Sequence, residues 1–282
     1  MKYNKNIYWL ASYPKSGNTW FRIFLSNYLS DSDKPVSINE INTGTIASSR
    51  VAFDDLSALP SSELKAEEID VLRPEIYRRM SLEQEGVSFH KAHDAYLQTL
   101  NNEPLFPAEV SAGAIYFVRN PLDVAISFAN HLSMSIDDTI DRMNDNDFGL
   151  SFSGKKISKQ LRQKLLSWSN HYLSWTEQKS ISVLVLKYED MLEKTEESFK
   201  KAVKFLNLEL DETKLKKAIK YSSFDFVKKQ EEKEGFQEKP KKAKSFFNKG
   251  KSGNWQDVLT DEQINKIINS HYDVMKKLGY LP

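Results

Sequence analysis

Forty basic side chains stand against 39 acidic ones in a chain of 282 residues, so no global field marks a partner of nucleic acid or of an acidic membrane. Cysteine is absent, which excludes disulfides, thiolate metal sites and a cysteine nucleophile, and the five histidines lack a zinc-binding spacing. The N-terminal apolar run is too short for a signal peptide and no run approaches the ~18 apolar residues of a membrane span, so a cytoplasmic protein with no membrane span is expected.

Ile7 to Ala11 is an apolar and aromatic run that predicts a buried strand. Trp20, Phe21, Ile23, Phe24, Leu25, Tyr28 and Leu29 then recur at helical spacing. Between them lie Tyr13-Pro14 and the loop Lys15, Ser16, Gly17, Asn18 and Thr19. Strand, tight loop and helix aim backbone N–H groups and the positive end of a helix dipole at one spot. Gly17 permits close backbone approach, Ser16 and Thr19 supply hydroxyl donors, and Lys15 adds a point charge. The stretch is built for an anion. It is not the usual nucleoside-triphosphate loop, which carries two glycines and a lysine directly before a magnesium-binding Ser or Thr.

Ser30 to Pro60 is rich in turn-forming residues and reads as an irregular surface loop, and Ser61 to Met80 as a helix with Ser61 or Ser62 as its cap. Gly86 to His93 alternates as a short strand running into a loop, with two histidines flanking Lys91. Ala112 to Val118 is a second buried strand, ending at Arg119-Asn120-Pro121, and Asp123 to Leu132 follows as a helix. Ligands of open α/β sheets sit at such strand ends. Asp137 to Met143 predicts a short helix and Asn144 to Lys155 a loop. Ile157 to Gln178 predicts an amphipathic helix, its stripe of Leu161, Leu165, Trp168, Tyr172 and Trp175 facing the core beside His171. Ile181 to Leu186 is a third buried strand, closed by Lys187-Tyr188-Glu189-Asp190. Helices are predicted over Glu196 to Leu206, Asp211 to Tyr221 and, capped by Ser222-Ser223, to Gln230. Residues 228–251 are charge-dense, but Phe236, Phe246 and Phe247 imply that part of this run docks. Thr260 caps a final helix to Leu278. Nothing marks a boundary, so one α/β domain over 1–282 is expected.

The words YPKSGNTW resemble the 5′-phosphosulfate loop of the sulfotransferase family, whose members transfer a sulfuryl group from 3′-phosphoadenosine 5′-phosphosulfate (PAPS). RNPLDVAIS, Arg119 to Ser127, resembles that family's 3′-phosphate motif, in which an arginine and a serine eight residues on grip the phosphate. FFNKGKSGNW, Phe246 to Trp255, resembles its C-terminal loop: Lys249 and Gly250 match, while Asn248 stands where the family has an arginine, with Lys251 or Lys244 as compensating charges. Lys91-Ala92-His93 resembles the family's Lys-Thr-His, whose histidine is the catalytic base. Segments around Tyr188 and around Ser222 and Phe224 resemble those that contact adenine, and Trp20 is placed either to stack on adenine or to pack in its helix.

These segments, in the family's order, imply a P-loop-like α/β fold with a central parallel sheet flanked by helices. The resemblance implies sulfuryl transfer from PAPS, with PAP (adenosine 3′,5′-bisphosphate) as product, to a small-molecule acceptor hydroxyl or amine. It implies His93 as base and Lys15 and Lys91 as charge stabilisers, with no metal. His90 is the rival base, and His131 a candidate for lining the acceptor pocket. The donor would be held by Lys15, Ser16, Gly17, Asn18, Thr19, Trp20, Arg119, Ser127, Tyr188, Ser222, Phe224, Asn248, Lys249 and Gly250. The rival readings are a nucleotide kinase and an inactive nucleotide-binding module, the latter favoured only by Asn248. The family's dimerisation motif is largely lost at Gln256, Thr260-Asp261 and Asn265, so a monomer or weak dimer is expected.

Overall fold

In the computed structural model, which describes residues 3–151, 158–239, 245–247 and 250–281, strand β1 (Ile7–Ser12) is buried at every position. That is the burial expected of an apolar strand covered on both faces. It leads through the loop to α1 (Asn18–Leu29), and then come α2 (Arg50–Ser57) and α3 (Ala66–Glu83). Strands β2 (Ser88–Ala92) and β3 (Ser111–Val118) follow, then helices α4 (Pro121–Leu132) and α5 (Ile136–Asn144). A two-residue pair, β4 (Gly149–Leu150) and β5 (Gln163–Lys164), precedes α6 (Trp168–Glu177) and strand β6 (Val183–Lys187). Helices α7 (Tyr188–Glu193), α8 (Thr195–Phe205), α9 (Glu212–Ser222), α10 (Phe224–Glu234) and α11 (Asp261–Lys277) complete the chain.

The central sheet is parallel, in the order β2-β1-β3-β6, and is flanked by helices. The order reverses between β1 and β3, and the loops leaving the C-terminal ends of those two strands are the ones that carry Lys15 to Gly17 and Arg119. Such a reversal is where open α/β sheets bind ligands. The register Trp9↔His90, Leu10↔Lys91 and Ala11↔Ala92 fixes β2 against β1.

The chain divides into two compact units. The first comprises Met1–Tyr13, Gly44–Tyr116 and Asp145–Val185. Its core centres on Trp9, whose ring meets Tyr77 and Phe106 at 4.9 and 4.8 Å and whose Nε1 donates to Ser111 Oγ at 2.7 Å. Phe53, Ile69, Ile76 and Leu161 form a second cluster. The second unit comprises Pro14–Thr43, Phe117–Asn144 and Leu186–Pro282. In it Phe21 and Phe24 of α1 pack on Phe199, and Ile23 joins Ile38, Val227, Phe236 and Phe247. The aromatics of the charged stretch therefore dock, as their presence implied.

Three sequence expectations are corrected. The helix predicted over Ile157 to Gln178 begins only at Trp168, because Leu166 adopts a left-handed φ of 61° and Ser167 caps the helix by accepting from Asn170 N–H. Ile157 itself lies outside the described residues. Leu161 and Leu165 are buried all the same, since apolar spacing records which side chains are covered and not the backbone between them. The loop predicted over Ser30 to Pro60 contains α2, capped by Ser49, too short to show a periodic face. Ser61 does not cap a helix. It sits in a single 3₁₀ turn and accepts from Arg50 Nη1 at 2.6 Å, and α3 starts at Ala66.

Arg73 and Asp94 form a bidentate pair in the first unit, both bonds 2.8 Å, with side chains 1% and 2% exposed. Removing one partner of such a pair strands a buried charge. Asp94→Ala should lower unfolding free energy by about 3–5 kcal/mol in urea titration, whereas Asp31→Ala, at an exposed pair with Lys214, should stay within about 1 kcal/mol.

Candidate functional site

Lys15, Ser16 and Gly17 form the bend between β1 and α1. Lys15 has φ 69° and Gly17 φ 100°, both left-handed, and a non-glycine residue in that region costs about 1–2 kcal/mol. A Cβ on Gly17 would meet Tyr188 Cδ2 at 2.8 Å, so only glycine allows the loop to lie on that ring. The Lys15 ammonium lies 4.1 Å from the Phe246 ring centroid. Ser16 is fully buried and its hydroxyl has no partner among the described residues; the same holds for the buried Trp20 Nε1 and Arg119 Nε. The buried donors of Ser16 and of Arg119, which bonds the same loop, fit an anionic ligand.

Arg119 ties these parts together. It donates from Nη1 to the Lys15 carbonyl at 3.4 Å and from Nη2 to the Lys251 carbonyl at 3.0 Å, with its guanidinium 4.3 Å from the Tyr188 ring centroid. Burial raises the Tyr188 phenol pKa, against the pull of Arg119. Trp20 packs edge-on against Tyr188 and Phe199, at 6.0 and 5.4 Å. Gly250, at φ 58°, lies so close to Phe224 that a Cβ would fall 2.3 Å from the ring. The structure thus joins Lys15, Gly17, Trp20, Arg119 and Tyr188 in one cluster, and Phe224 with Gly250.

Other predicted residues are placed less tellingly. Asn18 is the first residue of α1 and is buried; Thr19 follows it, partly exposed. Ser127 is partly exposed, two turns into α4. Ser222 is buried at the end of α9 and donates to the Ile219 carbonyl, the bond of a helix end. Asn248, Lys249 and Lys244 lie outside the described residues. Among the described residues no group of three or more His, Asp or Glu could hold a metal ion.

Two carboxylates here were not singled out from sequence. Asp123 Oδ2 accepts from Gly253 N–H at 2.8 Å and the Ser252 hydroxyl at 3.0 Å. Glu189 accepts from Asn120 N–H at 3.0 Å and the Tyr280 hydroxyl at 2.9 Å. Their positions inside RNPLD and KYED were the available signal.

His90, His93 and His171 belong to the first unit. His93 follows β2 and its Nδ1 lies 2.9 Å from the Ser12 carbonyl. An Nδ1–H donated to that oxygen leaves the lone pair on Nε2. The Ser12 hydroxyl also lies 3.3 Å from Nδ1. His90, by contrast, is buried within β2, Nδ1 against the Thr45 carbonyl at 3.0 Å and Nε2 against Ser88 Oγ at 3.2 Å. Burial lowers its pKa. Both of its nitrogens thus face protein atoms. Lys91, between them, is paired with Leu10 and partly exposed.

His171 and Trp175, one turn apart on α6, donate to consecutive carbonyls: His171 Nε2 to His93 O and Trp175 Nε1 to Asp94 O, each 3.0 Å. His171 Nδ1 accepts from the Tyr116 hydroxyl at 2.7 Å. The apolar stripe to which they belong is therefore core, as predicted, but it also holds the backbone of His93, which the spacing did not reveal.

A family model described as "Sulfotransferase domain" matches residues 5–279. The chain belongs to the sulfotransferase family. Over 270 residues this sulfotransferase is 26% identical to luciferin sulfotransferase of Photinus pyralis, covering 91% of its own length and 68% of the relative's. It is 25% identical to flavonol 3-sulfotransferase of Flaveria bidentis, covering 94% and 80%. Among solved structures it resembles a mouse sulfotransferase complexed with PAP at TM-score 0.62 and 20% identity, covering 96% of this chain and 85% of that one. Retinol dehydratase in complex with androsterone and PAP follows at TM-score 0.59 and 19% identity, covering 97% and 81%. These two likenesses establish the shared fold. No helix of the described residues is long and apolar enough to cross a membrane.

Burial depresses the His171 pKa from 6.5 to about 4. The unfolded chain therefore binds a proton that the folded sulfotransferase does not between those two values, and stability is lost as pH falls from about 6.5 toward 4. A tenfold change in proton affinity between the two states is worth about 1.4 kcal/mol, so urea titrations should show His171→Gln losing less stability over that window than the unmodified protein. Parallel curves for the two proteins would contradict the assignment.

Proposed function

We propose that this sulfotransferase moves a sulfuryl group from PAPS to a hydroxyl or amine of a small molecule, needs no metal to do so, and uses residues 1–282 as one catalytic domain. The observation that carries the reading is Arg119, which bonds the backbone of the Lys15 loop and of the C-terminal loop at once while resting on Tyr188. Three segments singled out for nucleotide binding thus share one cationic group. That two structural neighbours are described as complexes with PAP supports the same choice of donor.

In this reading Lys15, the N–H groups of the loop and Ser16 hold the 5′-phosphosulfate, Arg119 and Ser127 with Lys249 and Gly250 read the 3′-phosphate, and Tyr188, Phe224 and Trp20 flank the adenine. The acceptor oxygen or nitrogen bonds to sulfur as the bond from sulfur to the 5′-phosphate oxygen breaks. His93 Nε2 takes the acceptor's proton, its tautomer set by the Ser12 carbonyl. Lys15 and Lys91 stabilise charge on the leaving phosphate and the sulfuryl oxygens, which is positioning and electrostatics rather than covalent catalysis. A sulfuryl group carries less charge than a phosphoryl, so lysines suffice where a kinase uses magnesium. The relatives named for luciferin and for a flavonol favour hydroxyl acceptors on small molecules.

Thermal-shift titration tests the donor. With EDTA present, PAP should stabilise the protein more than AMP or ADP at equal concentration, because a ligand that binds only the folded state raises apparent stability more the tighter it binds. Equal shifts from AMP and PAP would remove the 3′-phosphate assignment, and a strict magnesium requirement would point to phosphoryl transfer.

The base is tested by separating binding from turnover. His93→Ala should keep PAP affinity near wild type while turnover falls about 10²–10⁴-fold. Lys15→Ala should weaken both, and His90→Ala should leave turnover closest to wild type. An inactive His90→Ala beside a competent His93→Ala would reverse the assignment.

A further inference from the structure

Strand β3 carries a phenol that the proposed reaction does not use. Tyr116 is enclosed in the first unit, and its oxygen lies 2.7 Å from Nδ1 of the equally buried His171. The surroundings dictate the direction of each bond. His171 Nε2 faces the His93 carbonyl at 3.0 Å. A carbonyl only accepts, so Nε2 carries the proton. Burial keeps the ring neutral, which leaves a lone pair on Nδ1. Tyr116 must therefore donate to it.

The phenol oxygen can then accept. A backbone hydrogen bond from Tyr13 draws the Tyr116 pKa down, against the stronger upward push of burial. A bond that favours the phenolate form comes from a donor, here the Tyr13 N–H. That N–H belongs to the same peptide group as the Ser12 carbonyl, which lies 2.9 Å from His93 Nδ1; the Ser12 hydroxyl is the longer contact at 3.3 Å. The bonds run one way round a closed ring. They pass from the Ser12-Tyr13 peptide to Tyr116, to His171 and to the His93 carbonyl, and from the His93 imidazole back to the same peptide. Bonds joined in this way polarise one another.

We propose that Tyr116 is a positioning residue for His93: through His171 it fixes the backbone of the base, and through the Ser12-Tyr13 peptide it strengthens the carbonyl that holds the imidazole. A peptide whose N–H donates to a phenol presents a more negative carbonyl, which accepts the His93 Nδ1–H more strongly. The lone pair stays on Nε2, and the ring is steadied when that nitrogen gains a proton. A carboxylate plays this part beside the histidine of a Ser-His-Asp triad. The inference rests on the proposed use of His93 as base and goes beyond it in naming what orients that base.

Steady-state turnover of PAPS with para-nitrophenol as acceptor, beside isothermal titration with PAP, tests the assignment on the full chain. Tyr116→Phe keeps the ring and loses the hydroxyl. It should lower kcat about tenfold, the worth of one hydrogen bond, while PAP affinity and the KM for PAPS stay within about twofold. Tyr172 packs on Tyr116 at 5.7 Å but bonds Thr176, and Tyr172→Phe should leave kcat within about twofold. In a His93→Ala background Tyr116→Phe should cost nothing further, because residues that act as a unit are not additive. An unchanged kcat in Tyr116→Phe, or equal losses in both tyrosine variants, would overturn the proposal while leaving the base reading intact. Near-normal turnover in His93→Ala would overturn both. Should Tyr116→Phe not fold, or para-nitrophenol not serve as acceptor, proton–nitrogen correlation spectra of the unmodified protein at about pH 8, above the ordinary imidazole value of ~6.5, decide it. His93 should then carry its proton on Nδ1 and His171 on Nε2, and a proton on His93 Nε2 or on His171 Nδ1 would overturn the proposal.

Discussion

Arg119 bonds two backbone carbonyls, those of Lys15 and Lys251, and lies on the face of Tyr188. Carbonyls and a ring face satisfy the geometry of a guanidinium without neutralising it, and no carboxylate pairs with it among the described residues. The protein thus fixes the position of the group without cancelling its charge. The neighbouring loops depend on this arrangement. The Lys15 loop must come close enough to offer its carbonyl, which the left-handed backbone of Lys15 and Gly17 permits. Tyr188 must be where a Cβ on Gly17 would clash. The C-terminal loop must present the Lys251 carbonyl, and Asp123 and Glu231 hold its two ends.

His93 is held by a different device. It lies just after β2, and α6 reaches its backbone. Two side chains one helical turn apart bond the carbonyls of His93 and Asp94, and Arg73 grips the Asp94 carboxylate. His171 can donate to one partner and accept from another only while neutral, and its burial keeps it so. A helix that began at Ile157 would have no reason to stop and restart here. The break at Leu166 lets the first turn of α6 start at Trp168 and bring His171 and Trp175 to those carbonyls.

Much of the site was legible in the linear sequence because its parts are local. A strand ending in Lys-Ser-Gly and entering a helix, and another ending in Arg-Asn-Pro, can each be read from a dozen residues, since backbone geometry and N-terminal helix chemistry are set by near neighbours. The two apolar runs of β1 and β3 announce strands buried on both faces, and the ordered segments announce the family. The aromatics at 236, 246 and 247 announced docking within a charged run, because an exposed phenylalanine costs free energy wherever it lies.

What the linear pattern left open depends on pairs far apart in the chain. That Glu231 would meet Phe246, Asp123 meet Gly253, or His171 meet the carbonyl of His93 leaves no periodic trace, since a hydrogen bond between distant residues requires only one donor and one acceptor of common types. Apolar spacing placed Leu161 and Leu165 in the core correctly and still gave the wrong backbone, because burial constrains where a side chain ends and not the path by which the chain arrives. Which of His90 and His93 is buried was likewise decided in three dimensions. The sequence determined two histidines near one strand end; the packing of β2 buried the first with both nitrogens bonded, and left the second beyond the strand with one nitrogen tied to Ser12.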